Sequence, residues 1–201
     1  ELADATIQAR SSAASLAIAG GSTGVAVSGA GALAFNTIGS GTKAYISGST
    51  LDSVGGKVDI DALNSSSISA VVGAVSAAVG VGSTGVGVSI GAALAFNNIG
   101  FDQSGNALPL DVQAYIQDTS INADGALTLN AYANQTIDAA ALAGSVAIAG
   151  GQVGVAVSGS GAFAFNKIGA DVSAYIEGVD NGGTDVIEAG SISLYAKDSS
   201  V

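Results

Sequence analysis

The chain contains no cysteine, histidine, tryptophan or methionine, and only one proline. Lack of cysteine excludes disulfides and thiolate metal sites. With no His or Cys, and Arg10 as the only arginine, the common nucleophile–base constellations cannot be assembled. Five basic residues stand against 16 acidic ones, for a net charge of −11, so there is no basic footprint for nucleic acid. That acidity would instead keep an extended assembly soluble by self-repulsion. Although there are 30 glycines, the single proline (Pro109) argues against a flexible linker or collagen. Charged residues make up only 10% and hydrophobic ones 48%, which excludes disorder. The sequence begins at Glu1 with no basic n-region or cleavage site, and reads as a segment of something longer.

What the chain does have is repetition. Residues 24–36 read GVAVSGAGALAFN, residues 85–97 read GVGVSIGAALAFN, and residues 154–166 read GVAVSGSGAFAFN. Each copy is followed by an Ala-Tyr-Ile echo, at Tyr45, Tyr115 and Tyr175. Alignment on Ala62, Ala131 and Ala196 divides the chain into units 1–61, 62–130 and 131–195, about 60–69 residues each, with 196–201 beginning another unit or overlapping one. Self-similarity at a near-fixed period marks a repeat architecture, in which each unit buries its apolar face against its neighbours. The units differ in length at two polar, turn-rich insertions, near 101–109 and near 179–185. Insertions that leave the rest in register are surface loops.

The repeated passage alternates with period two. Val25, Val27, Leu33 and Phe35 fall on one face, and Ala26, Ser28, Ala32 and Ala34 on the other. Such alternation predicts strands with a large-residue face and a small-residue face. Neither face carries charge, so burial of both is expected, the small one against a closely approaching second sheet. Shorter strands such as 57–61 (KVDID) alternate apolar with charged residues and read as half exposed. The chain is therefore expected to be all-β, a β-solenoid of three repeats, each holding two or three rungs or one unusually wide coil. The competing architecture is an array of long antiparallel hairpins turning at 20–24 and its equivalents. In the solenoid, like positions stack: Phe35, Phe96 and Phe165; Asn36, Asn97 and Asn166; Tyr45, Tyr115 and Tyr175. Amide ladders and aromatic stacks reward that register.

Sharper chemistry finds little support. Residues 68–99 carry no charge, but Gly, Ser and Thr interrupt them and no aromatic or basic anchors flank them, so a buried strand is a better account than a membrane span. Asp59 and Asp61 share a strand face at a spacing that could serve acid–base work on a polysaccharide. Thr128 and Asn130, and Ser193 and Tyr195, do not keep the match, so charge protecting an exposed strand from aggregation is the stronger reading. Asp180, Asn181 and Asp185 surround a glycine-permitted turn with oxygen ligands suited to calcium, the one cofactor the chain suggests, although the spacing is not that of an EF-hand. Ice binding would need regular outer Thr ladders, which are absent.

As a whole the unit resembles repeats of giant secreted bacterial proteins, the filamentous-haemagglutinin-like and autotransporter-type adhesins. The Gly-Val-Ala-Val…Ala-Phe-Asn passages, the Ala-Tyr-Ile strands and the Gly-Lys-Val-Asp-Ile-Asp-Ala type strand carry the resemblance, over essentially the whole chain. It implies a β-solenoid rod or fibre at the bacterial cell surface or outside the cell, used in adhesion, biofilm matrix or surface architecture, and it supplies no catalytic residues. The expectation is a non-enzymatic spacer that self-associates with adjacent repeats or copies. The alternative is a binding module whose loops at 101–109 and 179–185 hold a glycan, a partner protein, another host or surface ligand, or calcium.

Overall fold

In the computed structural model the chain is described at residues 1–53, 55–178 and 186–201. Among these, the strands in chain order are β1 (Leu2–Ala3), β2 (Thr6–Ile38), β3 (Thr42–Ser47), β4 (Thr50–Ser53), β5 (Val58–Asn64) and β6 (Ser67–Ile99). They continue with β7 (Asp111–Gln117), β8 (Ser120–Ala133), β9 (Thr136–Gly150), β10 (Val153–Ile168), β11 (Asp171–Glu177) and β12 (Ile187–Asp198). The described chain is all-β, with no helix long and apolar enough to cross a membrane.

Every pairing between these strands is parallel, and each of three sheets takes one layer from each repeat, the third with β1 as an additional short layer on β5. One sheet holds β2, β6 and the pair β9/β10; the second holds β3, β7 and β11; the third holds β1, β5, β8 and β12, with β4 also on β8. This is the arrangement of a β-solenoid. The register also gives the coil size. Thr6 lies opposite Ser67 and Thr84 opposite Val153, so one rung consumes 67 − 6 = 61 residues in the first step and 153 − 84 = 69 in the second. Each repeat is thus a single wide coil rather than two or three rungs. Residues at both ends follow the same path: Ser65 N–H bonds Ala3 O at 2.9 Å, and Ser199 N–H bonds Ala133 O at 2.9 Å.

A strand of 33 residues is too long to remain straight in a chain of this size. β2 doubles back at residues 20–24, where Gly21 adopts φ 138°. The fold-back shows in Ser15 Oγ and Ser28 Oγ, which lie 2.6 Å apart, and in Ser76 and Ser89, 2.7 Å apart. Thirteen extended residues would separate such atoms by about 40 Å. The halves meet face to face through side chains, not edge to edge through a backbone ladder, so the antiparallel hairpin array is not formed.

This reversal splits the molecule into two parts. In the body, all three sheets enclose one core that includes Ile60, Ile68, Ile99, Val112, Ile116, Leu127 and Leu129. Beyond it the doubled strands project as a thin blade with a separate core of Ala32, Val72, Ala74, Ala93 and Ala95. The small-residue face is the buried one, as expected. The large-residue face is not: Val27 is 67% exposed, and the outer surfaces of the blade are apolar and open. The physical reason is thickness. With Ala, Ser and Gly inside, the two halves approach until a Cβ on Gly85 would stand 2.6 Å from the carbonyl oxygens of Gly80 and Gly150. No room remains for Val or Phe, which therefore turn outward. Gly85→Ala should destabilise the protein by about 1–3 kcal/mol, because backbone rather than a movable side chain blocks the methyl group. Thermal unfolding checks this; an unchanged midpoint would contradict the tight blade.

Candidate functional site: stacked ladders and the insertion loop

Asn36, Asn97 and Asn166, Phe35, Phe96 and Phe165, and Tyr45, Tyr115 and Tyr175 lie opposite one another, one rung apart. Asn36 Nδ2 donates to Asn97 Oδ1 at 2.7 Å, and Asn97 Nδ2 to Asn166 Oδ1 at 2.9 Å. Parallel in-register pairing creates this ladder, since each amide is both donor and acceptor and meets its own kind one rung away. The ladder runs where the blade joins the body, and Asn97 is fully buried. Tyr45, Tyr115 and Tyr175 stack with ring centroids 5.0 Å apart at 5° and 1° between planes. The Phe35 and Phe96 rings stack at 5.0 Å, while Phe165 tilts to 41° at 6.4 Å. These phenylalanines occupy equivalent outward positions, with Phe35 49% and Phe165 47% exposed, so the dry burial expected of them is not found.

The insertion at 101–109 is organised by one carboxylate. Asp102 accepts hydrogen bonds from the backbone N–H groups of Ser104 and Asn106 and from Asn106 Nδ2, each at 2.8 Å. These donors, the Asn106 side chain foremost, hold its carboxyl below the usual value of 3.8. Asn98 Nδ2 donates to Asp102 O at 2.9 Å, and Lys167 Nζ sits 3.5 Å over the Phe101 ring and 3.3 Å from Gly105 O. Asn98 and Lys167 belong to one stacked column with Thr37. Sequence reading missed their role, although that column loses its identity just before the insertion begins. Two clefts adjoin the loop. One of about 570 Å³ is lined by Phe101, Leu108, Pro109, Asp111 and Asp171 among others. The other, about 350 Å³, lies between the phenylalanine column and residues Gln103, Ser104 and Gly105.

The carboxylates weighed as an acid–base pair are otherwise engaged. Asp59 lies 2.5 Å from Lys57 Nζ, and that hydrogen bond lowers its pKa. A general acid would need the opposite shift. Asp61 accepts from Asn130 Nδ2 at 2.8 Å. The calcium candidates Asp180, Asn181 and Asp185 lie outside the described residues; among the described ones, no three acidic or imidazole side chains come together. Comparison with protein families, with curated proteins and with solved structures finds no match.

Two outcomes are expected. Asn97→Leu leaves the buried Asn36 donor and the exposed Asn166 acceptor without their ladder partner and should cost about 1–3 kcal/mol, most of it from the buried Asn36 amide. Urea unfolding measures it, with Phe96→Ala as a less costly comparison because that ring is partly exposed. For Asp102 the folded pKa is the lower one, so its contribution is present above the unfolded value and is lost as pH falls through the folded value. Amide exchange at Ser104 and Asn106, corrected for its intrinsic pH dependence, should therefore accelerate on acidification below the ordinary carboxylate range; a flat corrected profile would contradict the loop's dependence on this group.

Proposed function

We propose that the chain is a non-catalytic structural repeat, a rod or spacer segment of a bacterial surface or extracellular fibre. The observation that carries this reading is the one-coil repeat with like residues stacked on like, from Thr6 opposite Ser67 to Ile38 opposite Ile99. Such a coil adds one rung per repeat and continues indefinitely, which suits a spacer whose length is set by repeat number. The last blade strand supports continuation by stacking. β10 is exposed from Val153 to Asn166 on both its large and small faces, as a strand is when a further rung could cover it. Head-to-tail addition of a further unit, in the same chain or another copy, would cover that edge. The engagement of Asp59 and Asp61 with Lys57 and Asn130 supports a role without catalysis.

The test is geometric. A tandem fusion of six copies of residues 1–195, leaving out 196–201 because they occupy the coil position of 1–6, should form a rod about 85 Å along its stacking axis, eighteen rungs at about 4.8 Å each. Negative-stain microscopy would show it, whereas strings of separate beads would contradict the spacer reading. A second reading, ligand binding beside the insertion loop, is favoured by the cleft between the phenylalanine column and Gln103 and Ser104. Aromatic faces beside polar groups suit sugar rings. Calorimetry with a glycan panel decides it: heat abolished by Phe96→Ala supports binding there, and silence removes it. Titration with calcium tests the expectation at 179–185 in the same way.

A further inference from the structure

Four glycines on one outer face of the blade serve no purpose inside the chain. Gly29, Gly31, Gly159 and Gly161 are exposed and alternate with positions of the small-residue face, of which Ser28 and Ala32 are buried, so they share the outward face with Val25, Val27, Leu33 and Phe35. None has a positive φ. A Cβ added at Gly31, Gly159 or Gly161 would meet nothing within 4 Å, and one at Gly29 only Ile90 O at 3.9 Å. The inward glycines differ sharply: at Gly87 and Gly91 a Cβ would stand 2.7 and 2.6 Å from backbone oxygens. Glycine weakens a strand through backbone entropy and the loss of a packing side chain. Where nothing internal demands it, it marks the close approach of something external.

The relief of this face shows what could approach. Stacked columns of Val25/Val86/Val155 and Val27/Val88/Val157 form one ridge. Leu33/Leu94/Phe163 and Phe35/Phe96/Phe165 form the other. Between them lies a hollow floored by the four glycines and Ala92, from which only Ile90 rises, 59% exposed. Rotation by 180° about an axis that lies parallel to the face and runs along the stacking direction, between the columns of Ile90 and Ala92, sets each rung opposite its own counterpart. It sets Ile90 of a second copy over Ala92, flanked by Gly31 and Gly161, and brings the valine ridge against the Leu/Phe ridge. The face is self-complementary, as an isologous dimer requires. No charged residue stands on it from Val25 to Phe35 or at the equivalent positions, so the net charge of −11 is carried elsewhere. Eleven residues by three rungs give about 500 Å² in plan, hence about 1,000 Å² for a pair before side-chain relief is counted. That meets the lower bound for a biological interface, about 1,000 Å², and matches a weak, reversible pairing rather than an obligate dimer.

We propose that this face binds a second copy of the chain, each Ile90 seated in the other's glycine hollow. The pairing is lateral and uses no rung edge, so it stands apart from the stacking reading above. Sedimentation equilibrium of the whole chain, from micromolar to about millimolar concentration, tests it. A monomer–dimer equilibrium is expected, with Kd raised at least about tenfold by Ile90→Lys and, separately, by the double variant Gly31→Val/Gly161→Val. The second variant keeps the test sound, because a Cβ at either position meets nothing within 4 Å and valine favours a strand, so its melting midpoint should be unchanged or raised. A chain that stays monomeric throughout would overturn the proposal, as would association indifferent to both variants. So would a monomer that instead floats with phosphatidylcholine vesicles, which would make the apolar face a lipid surface.

Discussion

Parallel stacking of a coil upon its own copy is the constraint from which the rest follows. Once β2 hydrogen-bonds to β6 with like residues opposite like, each side chain must tolerate a near-identical neighbour about 4.8 Å away. Asparagine satisfies that condition by donating in one direction and accepting in the other. Tyrosine rings satisfy it by lying parallel, and the ladder at Asn36, Asn97 and Asn166 sits where the blade needs to be anchored to the body. The stability of this fold is accordingly distributed along the stacking axis and does not depend on any one large residue.

The same constraint accounts for where the charges are and where the repeats stop matching. Two carboxylates stacked one rung apart would repel, so Asp52 lies over Asn122 and Asp61 over Asn130, with carboxylate–amide hydrogen bonds of 3.0 and 2.8 Å. Where carboxylates do align, at Asp111 and Asp171, Lys43 on the neighbouring strand is 3.0 Å from Asp111. The replacement of Asp by Asn or Thr between repeats, which on sequence alone counted only against catalysis, is thus electrostatic relief built into the stack.

Much of the fold was legible before any coordinate. The triplicated passage implied repeats, the period-two pattern implied strands, and identical residues at fixed offsets implied the ladders at Asn36, Tyr45 and their equivalents. Two features were not legible from the same pattern. Alternation is symmetrical between faces, so Val25 and Phe35 could be assigned to the interior as readily as Ala26 and Ala34. The deciding quantity is the thickness of the gap that residues 20–24 close, which only the folded chain reveals. The number of rungs per unit was hidden similarly, because the reversal at Gly21 resembles a hairpin turn until the pairing partner is known. At the insertion, Asp102 and Lys167 act through local hydrogen bonds and a ring contact that no repeat period encodes.

Carbon–carbon dipolar recoupling by solid-state NMR, on protein labelled with ¹³C at the tyrosine carbonyl, probes the stack most directly. One coil per repeat places the carbonyls of Tyr45, Tyr115 and Tyr175 about 4.8 Å from their nearest counterparts. A rapid dephasing corresponding to that spacing is the expected result. Separations of about 10 Å or more would mean that further rungs intervene between repeats, and would contradict the wide-coil architecture together with the blade that follows from it.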